Sequence, residues 1–343
     1  MSKKQNLIAV GADDGFFNTK VYLGEGNQII IPSRARLGAA KRISLMGDND
    51  SVITSYKTND MVYTVGASES EQIVHDEYPM SDLNRVIVHH ALRQAGLGGK
   101  DVAMFTGLPL KKYYTTSSQS KNEKLIARKE ANFNQQIFVN DQPNEFTANI
   151  KLHKVGPEAA SLLYDYVIEE VKNKDGFIEH QDRIKHQIAV IDIGGRTTDI
   201  CIIDQGDVAL DTVETINAGM HNIYDALKDY ARDELSLDRV PDSIIDRMFT
   251  NGVLKVGARD RDVSDIITNS KAMVASNIIQ AVNNKIGSKA KMLDAVLFIG
   301  GGSEVLAQQL MNSYDNEFTV KDPVMANARS FYKAMKCGIL PNI

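Results

Sequence analysis

The sequence contains few cysteines, no long hydrophobic run and no excess of positive charge. Its only cysteines, Cys201 and Cys337, lie in a predicted buried strand and near the C-terminus, so we expect two free thiols in a reducing cytoplasm. No stretch approaches the ~20 apolar residues that span a bilayer. The apolar run that begins at Leu7 soon ends at Asp13 and Asp14, so we expect neither a signal peptide nor a membrane anchor. The net charge of −5 argues against a broad surface for nucleic acid or anionic lipid, although a local basic patch stays open.

The chain is long enough for two domains, with 343 residues of which 43% are hydrophobic and 24% are charged. Each half contains predicted strands in succession and strands that alternate with helices, which is typical of an α/β protein with mixed sheets. Residues 33–50 and 172–185 are polar and are predicted as loops. Pro157 is predicted as the first residue of a helix, with Glu158 in its first turn. Ser303 is predicted to cap a later helix.

Three glycine-containing turns carry most of the chemical information in the sequence. The first two each lie between two apolar strands, half a chain apart. The turns are Asp13-Asp14-Gly15-Phe16-Phe17-Asn18-Thr19-Lys20, Asp192-Ile193-Gly194-Gly195-Arg196-Thr197-Thr198-Asp199 and Gly300-Gly301-Gly302-Ser303-Glu304. A repeated strand, acidic turn and strand is the pattern that a duplicated domain would need in order to hold one phosphorylated ligand from two sides.

The two acidic turns indicate a combined phosphate and metal site. Glycine accepts positive φ angles, so such a turn can present consecutive backbone N–H groups to an anion. An aspartate beside a phosphate needs a cation between them, and Mg²⁺ binds one or two carboxylates together with phosphate oxygens and water. We therefore expect Asp13 and Asp192 to hold Mg²⁺ and Lys20 to contact phosphate. For either turn alone, an ordinary β-hairpin with an Asp-Gly turn stays an equal alternative.

The order of the three turns resembles the superfamily of actin, Hsp70 and sugar-kinase ATPases, and further stretches are similar to the plasmid-segregation actins of the ParM or StbA type. These stretches are Val88-His89-His90-Ala91-Leu92, Gly107-Leu108-Pro109-Leu110, Arg128-Lys129-Glu130-Ala131-Asn132-Phe133 and Pro157-Glu158. The resemblance implies an actin-like (ribonuclease H-like) α/β fold with duplicated mixed sheets and a central nucleotide cleft. Its two domains would comprise residues 1–160 with about 326–343, and residues 161–325.

The same resemblance implies roles for individual residues. Asp13 and Asp192 match the two metal-associated aspartates, and Glu158 matches the residue that positions the hydrolytic water, so we expect Glu158 and Asp192 to be catalytic. The residues expected to bind ATP or ADP come from the three turns and from the start of the helix after the second turn. They are Asp13, Gly15, Phe16, Phe17, Asn18, Lys20, Gly194, Gly195, Arg196, Thr197, Gly219, Gly301, Gly302 and Ser303.

Glu158 at a predicted helix N-terminus would stay ionised beside free N–H groups and could orient a water, although a simple helix-dipole glutamate is the alternative.

Phe16 and Phe17 depart from the family pattern, which has small or hydroxylated residues at these positions. Backbone amides and Asn18 would then have to contact the β-phosphate. The two aromatic rings could contact nucleotide, pack under the hairpin or face a neighbouring subunit.

The resemblance implies a cytoplasmic ATPase that polymerises with ATP into filaments for plasmid DNA segregation. Subunits would assemble head to tail, and hydrolysis would destabilise the filament. A DNA-binding adaptor of the ParR type would connect the filament to plasmid centromere DNA, so contact with DNA would be indirect and no membrane partner is expected. A small-molecule kinase of the same superfamily is the alternative, and a chaperone or regulatory ATPase is a third. The sequence leaves ATP against GTP open.

Overall fold

A computed structural model describes residues 7–39, 53–66, 71–72, 75–115, 120–140, 142, 144–171 and 176–338. The strands are β1 (Ile8–Asp14), β2 (Asn18–Tyr22), β3 (Gln28–Pro32), β4 (Arg34–Leu37), β5 (Thr54–Thr58), β6 (Met61–Val65), β7 (Glu71–Gln72), β8 (Asp101–Leu108), β9 (Phe138–Val139), β10 (Asn149–Pro157), β11 (Ile168–Glu170), β12 (Phe177–Glu179), β13 (Gln187–Ile193), β14 (Thr198–Asp204), β15 (Asp207–Ile216), β16 (Val253–Val256), β17 (Arg259–Asp262) and β18 (Ala295–Ile299). The helices are α1 (Asp82–Gln94), α2 (Leu110–Tyr113), α3 (Glu123–Phe133), α4 (Leu162–Val167), α5 (Met220–Leu235), α6 (Asp242–Asn251), α7 (Ser264–Ile286), α8 (Gly301–Val305), α9 (Ala307–Leu310) and α10 (Ala326–Lys336).

The chain divides into two compact units, residues 1–185 with 325–343 and residues 186–324. This grouping differs from the predicted boundary at residue 160, because α4 and the β11–β12 hairpin pack within the first unit. Asp165 of α4 is buried and accepts hydrogen bonds from Arg329 and Lys333 of α10, with its two oxygens 2.6–2.7 Å from the donors. The two cations lower the pKa of the Asp165 carboxyl against the opposing effect of its burial. This ion-pair network attaches residues after 160 to the C-terminal helix.

The first unit contains a mixed sheet of five strands in the order β10-β8-β1-β2-β3. β1, β8 and β10 are parallel neighbours, while β1, β2 and β3 form an antiparallel meander. A second sheet, β7-β4-β6-β5-β9, is antiparallel throughout. Successive strands were predicted for this part of the chain, whereas the parallel order of β1, β8 and β10 could not be read from the sequence.

Helices cover both faces of the five-stranded sheet. On one face α10 lies so close to β1 that a Cβ atom at Gly11 would stand 1.8 Å from the Ala328 carbonyl oxygen, so this contact requires glycine. On the other face Val88 of α1 packs with Val10 of β1 in a fully buried cluster. Ile87, also on α1, belongs to a further cluster with the antiparallel sheet. Helix α1 is therefore shared by the two sheets of this unit.

The second unit repeats the central part of the first. Its sheet has the order β15-β14-β13-β18, in which β13 and β14 form a hairpin and β13 runs parallel to β18. The same relation holds for β2, β1 and β8 in the first unit. The predicted duplication of mixed sheets is thus confirmed. Within the described residues, no helix combines the length and the hydropathy needed to cross a membrane.

Three local predictions were wrong. Pro157 ends β10 and does not begin a helix, because β10 pairs with β8 up to Pro157 and Leu108. In the predicted loop 33–50, residues 34–37 form β4, which pairs with β6, while residues 40–50 lie outside the described part. In the predicted loop 172–185, Phe177–Glu179 pair with β11 as β12. Both short strands are defined by pairing with other strands. The polar composition of the two segments gave no indication of this pairing. Both cysteines are free thiols, as predicted.

Buried histidines make the stability of the first unit depend on pH. His89 of α1 is 3% exposed, and both its ring nitrogens are without a hydrogen-bond partner. Burial, helped by the nearby charge of Arg85, lowers the pKa of His89 to about 3. Between the folded and the ordinary pKa of histidine, the unfolded chain therefore binds a proton at His89 and the folded chain does not. The stability that depends on a neutral His89 is fully present above the ordinary histidine pKa and is lost as the pH falls towards 3.

His89→Leu should flatten this dependence. Between pH 6 and pH 4 the slope of the unfolding free energy should decrease by about 1.4 kcal/mol per pH unit, since one fewer proton is taken up on unfolding. Urea titrations at a series of pH values measure the slope. His75→Leu, the same substitution at an exposed histidine of the first unit, is the control. An unaltered slope in His89→Leu would show that His89 is not held neutral.

Candidate functional site

Three strand ends meet at one edge of the five-stranded sheet. Because β1, β8 and β10 are parallel, their carboxyl ends bring together Asp13 and Asp14, Gly107, and the residue after Pro157, which is Glu158. In open α/β sheets, the carboxyl edge of parallel strands is the usual place for a ligand. Residues as far apart in the chain as Asp13 and Glu158, which are separated by 145 positions, are thereby collected at one edge.

The first acidic turn joins β1 to β2 as a hairpin in which Asp13 lies opposite Lys20. Both side chains are buried, and Lys20 Nζ donates to Asp13 Oδ2 at 2.7 Å. Lys20 is therefore ion-paired with Asp13. For the predicted contact with phosphate, the Lys20 ammonium group would have to leave Asp13 or bind both groups at once. A metal ion at Asp13 would likewise share the carboxylate with the ammonium group.

Hydrogen bonds beneath the first turn hold its backbone in place. Ser33 Oγ donates to the Gly15 carbonyl oxygen at 2.6 Å, and the Ser33 N–H donates to the Phe17 carbonyl oxygen at 2.9 Å. The ring of Phe16 packs against Tyr78, with 5.4 Å between centroids, beside a buried cluster of the first unit. Phe16 therefore packs within its own unit, which is one of the three environments considered for the aromatic pair.

Asp14 forms a buried network that sequence reasoning missed. Its Oδ1 accepts from Lys129 Nζ at 2.8 Å and its Oδ2 accepts from Asn84 Nδ2 at 2.7 Å. Lys129 also donates to the Gly107 carbonyl oxygen. Asp14, Gly107 and Lys129 belong to stretches that carry the family resemblance, and Asn84 precedes another by four residues, but the sequence gave no sign of their contact.

Glu158 lies in a turn and not at a helix N-terminus, which removes the helix-dipole argument for its ionisation. Its N–H donates to the Leu108 carbonyl oxygen at 2.9 Å, which continues the pairing of β10 with β8. Its side chain covers Gly107: a Cβ atom there would stand 2.4 Å from Glu158 Cγ and 2.8 Å from Oε1. The half-buried carboxyl group is therefore at the same sheet edge as the first turn, where the prediction needed it.

The second acidic turn has the same hairpin geometry, with Asp192 opposite Asp199 across β13 and β14. The Gly194 N–H donates to the Thr197 carbonyl oxygen at 2.9 Å and closes the turn over Gly195 and Arg196. The start of α5 is docked on this turn, since the His221 N–H donates to the Gly195 carbonyl oxygen at 2.8 Å.

Gly219 is packed against the second turn, which explains its place among the predicted site residues. A Cβ atom at Gly219 would stand 2.8 Å from the Gly194 carbonyl oxygen and 3.0 Å from that of Gly195. Its φ of −175° is extended, so close approach and not backbone strain requires glycine. The turn and the first residues of α5 therefore pack backbone against backbone.

The third turn is stacked on the second. β18 runs parallel to β13, so Gly300 follows Ile299 directly beside the end of β13. Gly300 has a φ of +85°, and a Cβ atom there would stand 2.5 Å from Asp192 Oδ1. A Cβ atom at Gly302 would stand 2.3 Å from the Ile193 side chain. The structure thus brings the second and third turns together at one sheet edge.

Two predictions about these turns need correction. Ser303 does not cap a helix, because α8 begins at Gly301 with Gly300 as its N-cap, and Ser303 Oγ donates to the Gly300 carbonyl oxygen within that first turn. The positive φ expected for the acidic turns is absent at Gly15 and Gly194 and occurs at Gly300. At Gly194 the need for glycine is spatial, since a Cβ atom would stand 3.0 Å from the Thr197 carbonyl oxygen.

Each unit contains residues whose chemistry fits a magnesium nucleotide. Asp13 in the first unit and Asp192 in the second each present a carboxylate, the protein group that Mg²⁺ binds in addition to phosphate oxygens and water. The contacts around Gly194, Gly219 and Gly302 leave little room for a side chain, so the second turn packs closely against the third turn and the start of α5. Among the described residues, no three or more His, Cys, Asp and Glu side chains are grouped so that they could hold a metal ion.

Family models match both units of the chain. Residues 8–166 match the model "plasmid segregation protein ParM, N-terminal", and residues 190–312 match "archaeal actin homologue MreB-like, C-terminal". The first unit is therefore similar to the N-terminal domain of ParM, and the second unit is similar to the C-terminal domain of an archaeal actin homologue. A sequence search of curated proteins found no match.

Solved structures with the same fold include ParM proteins and an archaeal actin homologue. A 15-stranded ParM filament from Clostridium botulinum has a TM-score of 0.74 at 21% identity, over 97% of this chain and 99% of that one. The archaeal actin homologue Ta0583 in complex with ADP has 0.72 at 17%, over 96% and 100%. Bacillus thuringiensis ParM with ATP has 0.61 at 14%, over 96% and 98%. At these identities the likeness shows the fold, and the predicted actin-like class is confirmed.

Proposed function

We propose that this protein is a ParM-like actin homologue that binds ATP or ADP with Mg²⁺, hydrolyses ATP and assembles with copies of itself into filaments. The observation that carries the proposal is the repeated acidic hairpin, with Asp13 at the end of β1 and Asp192 at the end of β13. Two related structures hold ADP and ATP, and a third is a ParM filament, which supports nucleotide binding and self-assembly here.

The proposed roles follow the position of each residue in its unit. Asp13 and Asp192 would hold Mg²⁺, which when bound would neutralise phosphate charge. The backbone of the two hairpin turns would bind phosphates, while Gly219 and the third turn would bind the adenosine. Glu158 would orient a water for attack and accept its proton, because its carboxyl group lies at the same edge as the first turn. The residues proposed for phosphate and adenosine are Gly15, Phe16, Phe17, Asn18, Lys20, Gly194, Gly195, Arg196, Thr197, Gly219, Gly301, Gly302 and Ser303.

The biological role proposed is plasmid DNA segregation in the cytoplasm. Its support is the match of residues 8–166 to the N-terminal domain of ParM, which is described as a plasmid segregation protein. A DNA-binding adaptor of the ParR type would connect the filament to plasmid centromere DNA, and the net charge of −5 favours such indirect contact over a broad DNA-binding surface. The kinase alternative has no support from these matches, since neither family model describes a kinase.

Light scattering tests the proposed assembly. With Mg²⁺ and ATP the signal should rise and later decay as hydrolysis proceeds, while ADP or no nucleotide should give a smaller signal or none. A chelator added with ATP is the matched control for the metal. If the signal stays at the level without nucleotide under every condition, the chain is not a nucleotide-dependent polymer.

A further inference from the structure

Lys129 is a buried cation placed between two strand ends of the candidate site. Its side chain comes from α3 and is 1% exposed. Its ammonium donates to Asp14 Oδ1 at 2.8 Å and to the Gly107 carbonyl oxygen. A buried ammonium is costly unless such acceptors surround it, so both contacts confine the group to one position. Lys129 thereby connects the end of β1 with the end of β8.

Each of these two contacts leads to one functional element. Asp14 stands between Asp13 and Gly15 in the first turn, and its other oxygen is fixed by Asn84. The Glu158 side chain packs directly on Gly107, because Glu158 Cγ occupies the space that a Cβ atom of residue 107 would need. A shift of the backbone at Gly107 would therefore move the Glu158 carboxyl group.

We propose that Lys129 is a positioning residue for hydrolysis, which sets the placement of Glu158 relative to the first turn through Gly107 and Asp14. The inference rests on the proposed function, because it needs Glu158 to act on a water at that turn. Lys129 itself touches neither nucleotide nor water in this account. Displacing a reacting group by about 1 Å can cost as much as 10²-fold in rate, so a small change of this bridge would be visible in turnover.

The structure offers a matched ion pair for comparison. Lys333 is also a buried lysine of the first unit, and it also bonds one carboxylate and one carbonyl oxygen, those of Asp165 and Ile168. It belongs to the network that attaches α4 to α10. Removing Lys333 should therefore affect stability without a specific effect on hydrolysis, whereas removing the Lys129 bridge should affect both.

Two variants of the full chain test the proposal. The double variant Lys129→Met/Asp14→Asn removes both charges of the bridge together, so that no unpaired charge is buried. Gly107→Ala leaves the ion pair in place and displaces Glu158 directly, although it also presses on the Phe331 ring, whose Cζ atom is 2.8 Å from the Cβ position. In each, turnover at saturating ATP should fall about tenfold or more while the KM for ATP changes by less than about threefold, the split expected when a residue acts in the chemical step. In the Glu158→Gln background neither variant should lower turnover further, because both act through Glu158.

The controls are Lys333→Met and Gly98→Ala. Gly98 also lacks room for a side chain, with the Phe146 carbonyl oxygen 2.8 Å from its Cβ position, but it contacts nothing at the site. Both controls should lose stability and keep turnover. Wild-type turnover in the Lys129→Met/Asp14→Asn and Gly107→Ala variants, or equal losses in the Glu158→Gln background, would overturn the proposal. A wild-type chain that neither binds nor hydrolyses ATP would instead overturn the proposed function, so the two failures are distinguishable.

Discussion

Glu158→Gln is expected to slow ATP hydrolysis by ~10²–10⁴-fold while ATP binding and filament assembly are retained. Glutamine keeps the length of the side chain, so its packing on Gly107 is preserved, but an amide does not accept a proton from water. Filaments of the variant should therefore live longer than those of the wild type. Phosphate release measured beside light scattering separates the two effects, since turnover should fall and the scattering plateau should extend.

Glu123→Gln is the matched control for this result. Glu123 is an exposed glutamate in the first turn of α3, and its change removes the same charge without touching the sheet edge. It should hydrolyse ATP like the wild type. Normal phosphate release by Glu158→Gln would remove Glu158 from the catalytic role, whatever its position in the fold.

Asp192→Asn is expected to reduce the Mg²⁺-dependent part of the ATP affinity by about 10–100-fold, the loss typical of residues that support a bound metal. Asp192 is 7% exposed at the end of β13, and its Oδ1 lies against the Gly300 backbone. Asparagine fits this space, so the change removes the charge and leaves the turn folded. Titration of a fluorescent ATP analogue with Mg²⁺ and with a chelator measures the two affinities, and only the first should change.

The control for Asp192 is Asp204→Asn, which removes one charge from the opposite end of the same strand pair. Its Mg²⁺-dependent affinity should equal that of the wild type. If Asp192→Asn also binds ATP with wild-type dependence on Mg²⁺, the second turn is a structural hairpin. An ordinary β-hairpin, the alternative to a phosphate and metal site, would then be the correct interpretation of this turn.

Local sequence patterns predicted the second unit well. The helix expected after the second turn is found at Met220–Leu235, where the buried apolar residues repeat at the helical period. The two acidic turns were placed correctly between their strands. In each case the signal is contained within about one element and its turn, so no partner elsewhere in the chain is needed to read it.

The predictions failed where a distant strand decides the structure. Pro157 has the residue type of a helix start, but the pairing of β10 with β8 carries the strand through it. The contact of Lys129 with Asp14 joins positions 115 residues apart. Neither hydrophobic period nor spacing encodes such a contact, which depends on the order of parallel strands. The most informative addition from the structure is therefore the edge at which β1, β8 and β10 end.

Electron microscopy of the purified chain tests the central claim most directly, namely that nucleotide held by the acidic turns drives assembly. With Mg²⁺ and a non-hydrolysable ATP analogue the account predicts filaments that persist. With ATP it predicts filaments that disappear as the nucleotide is consumed, and without nucleotide none. Filaments that form equally well without nucleotide, or particles that stay single with the analogue, would contradict the account.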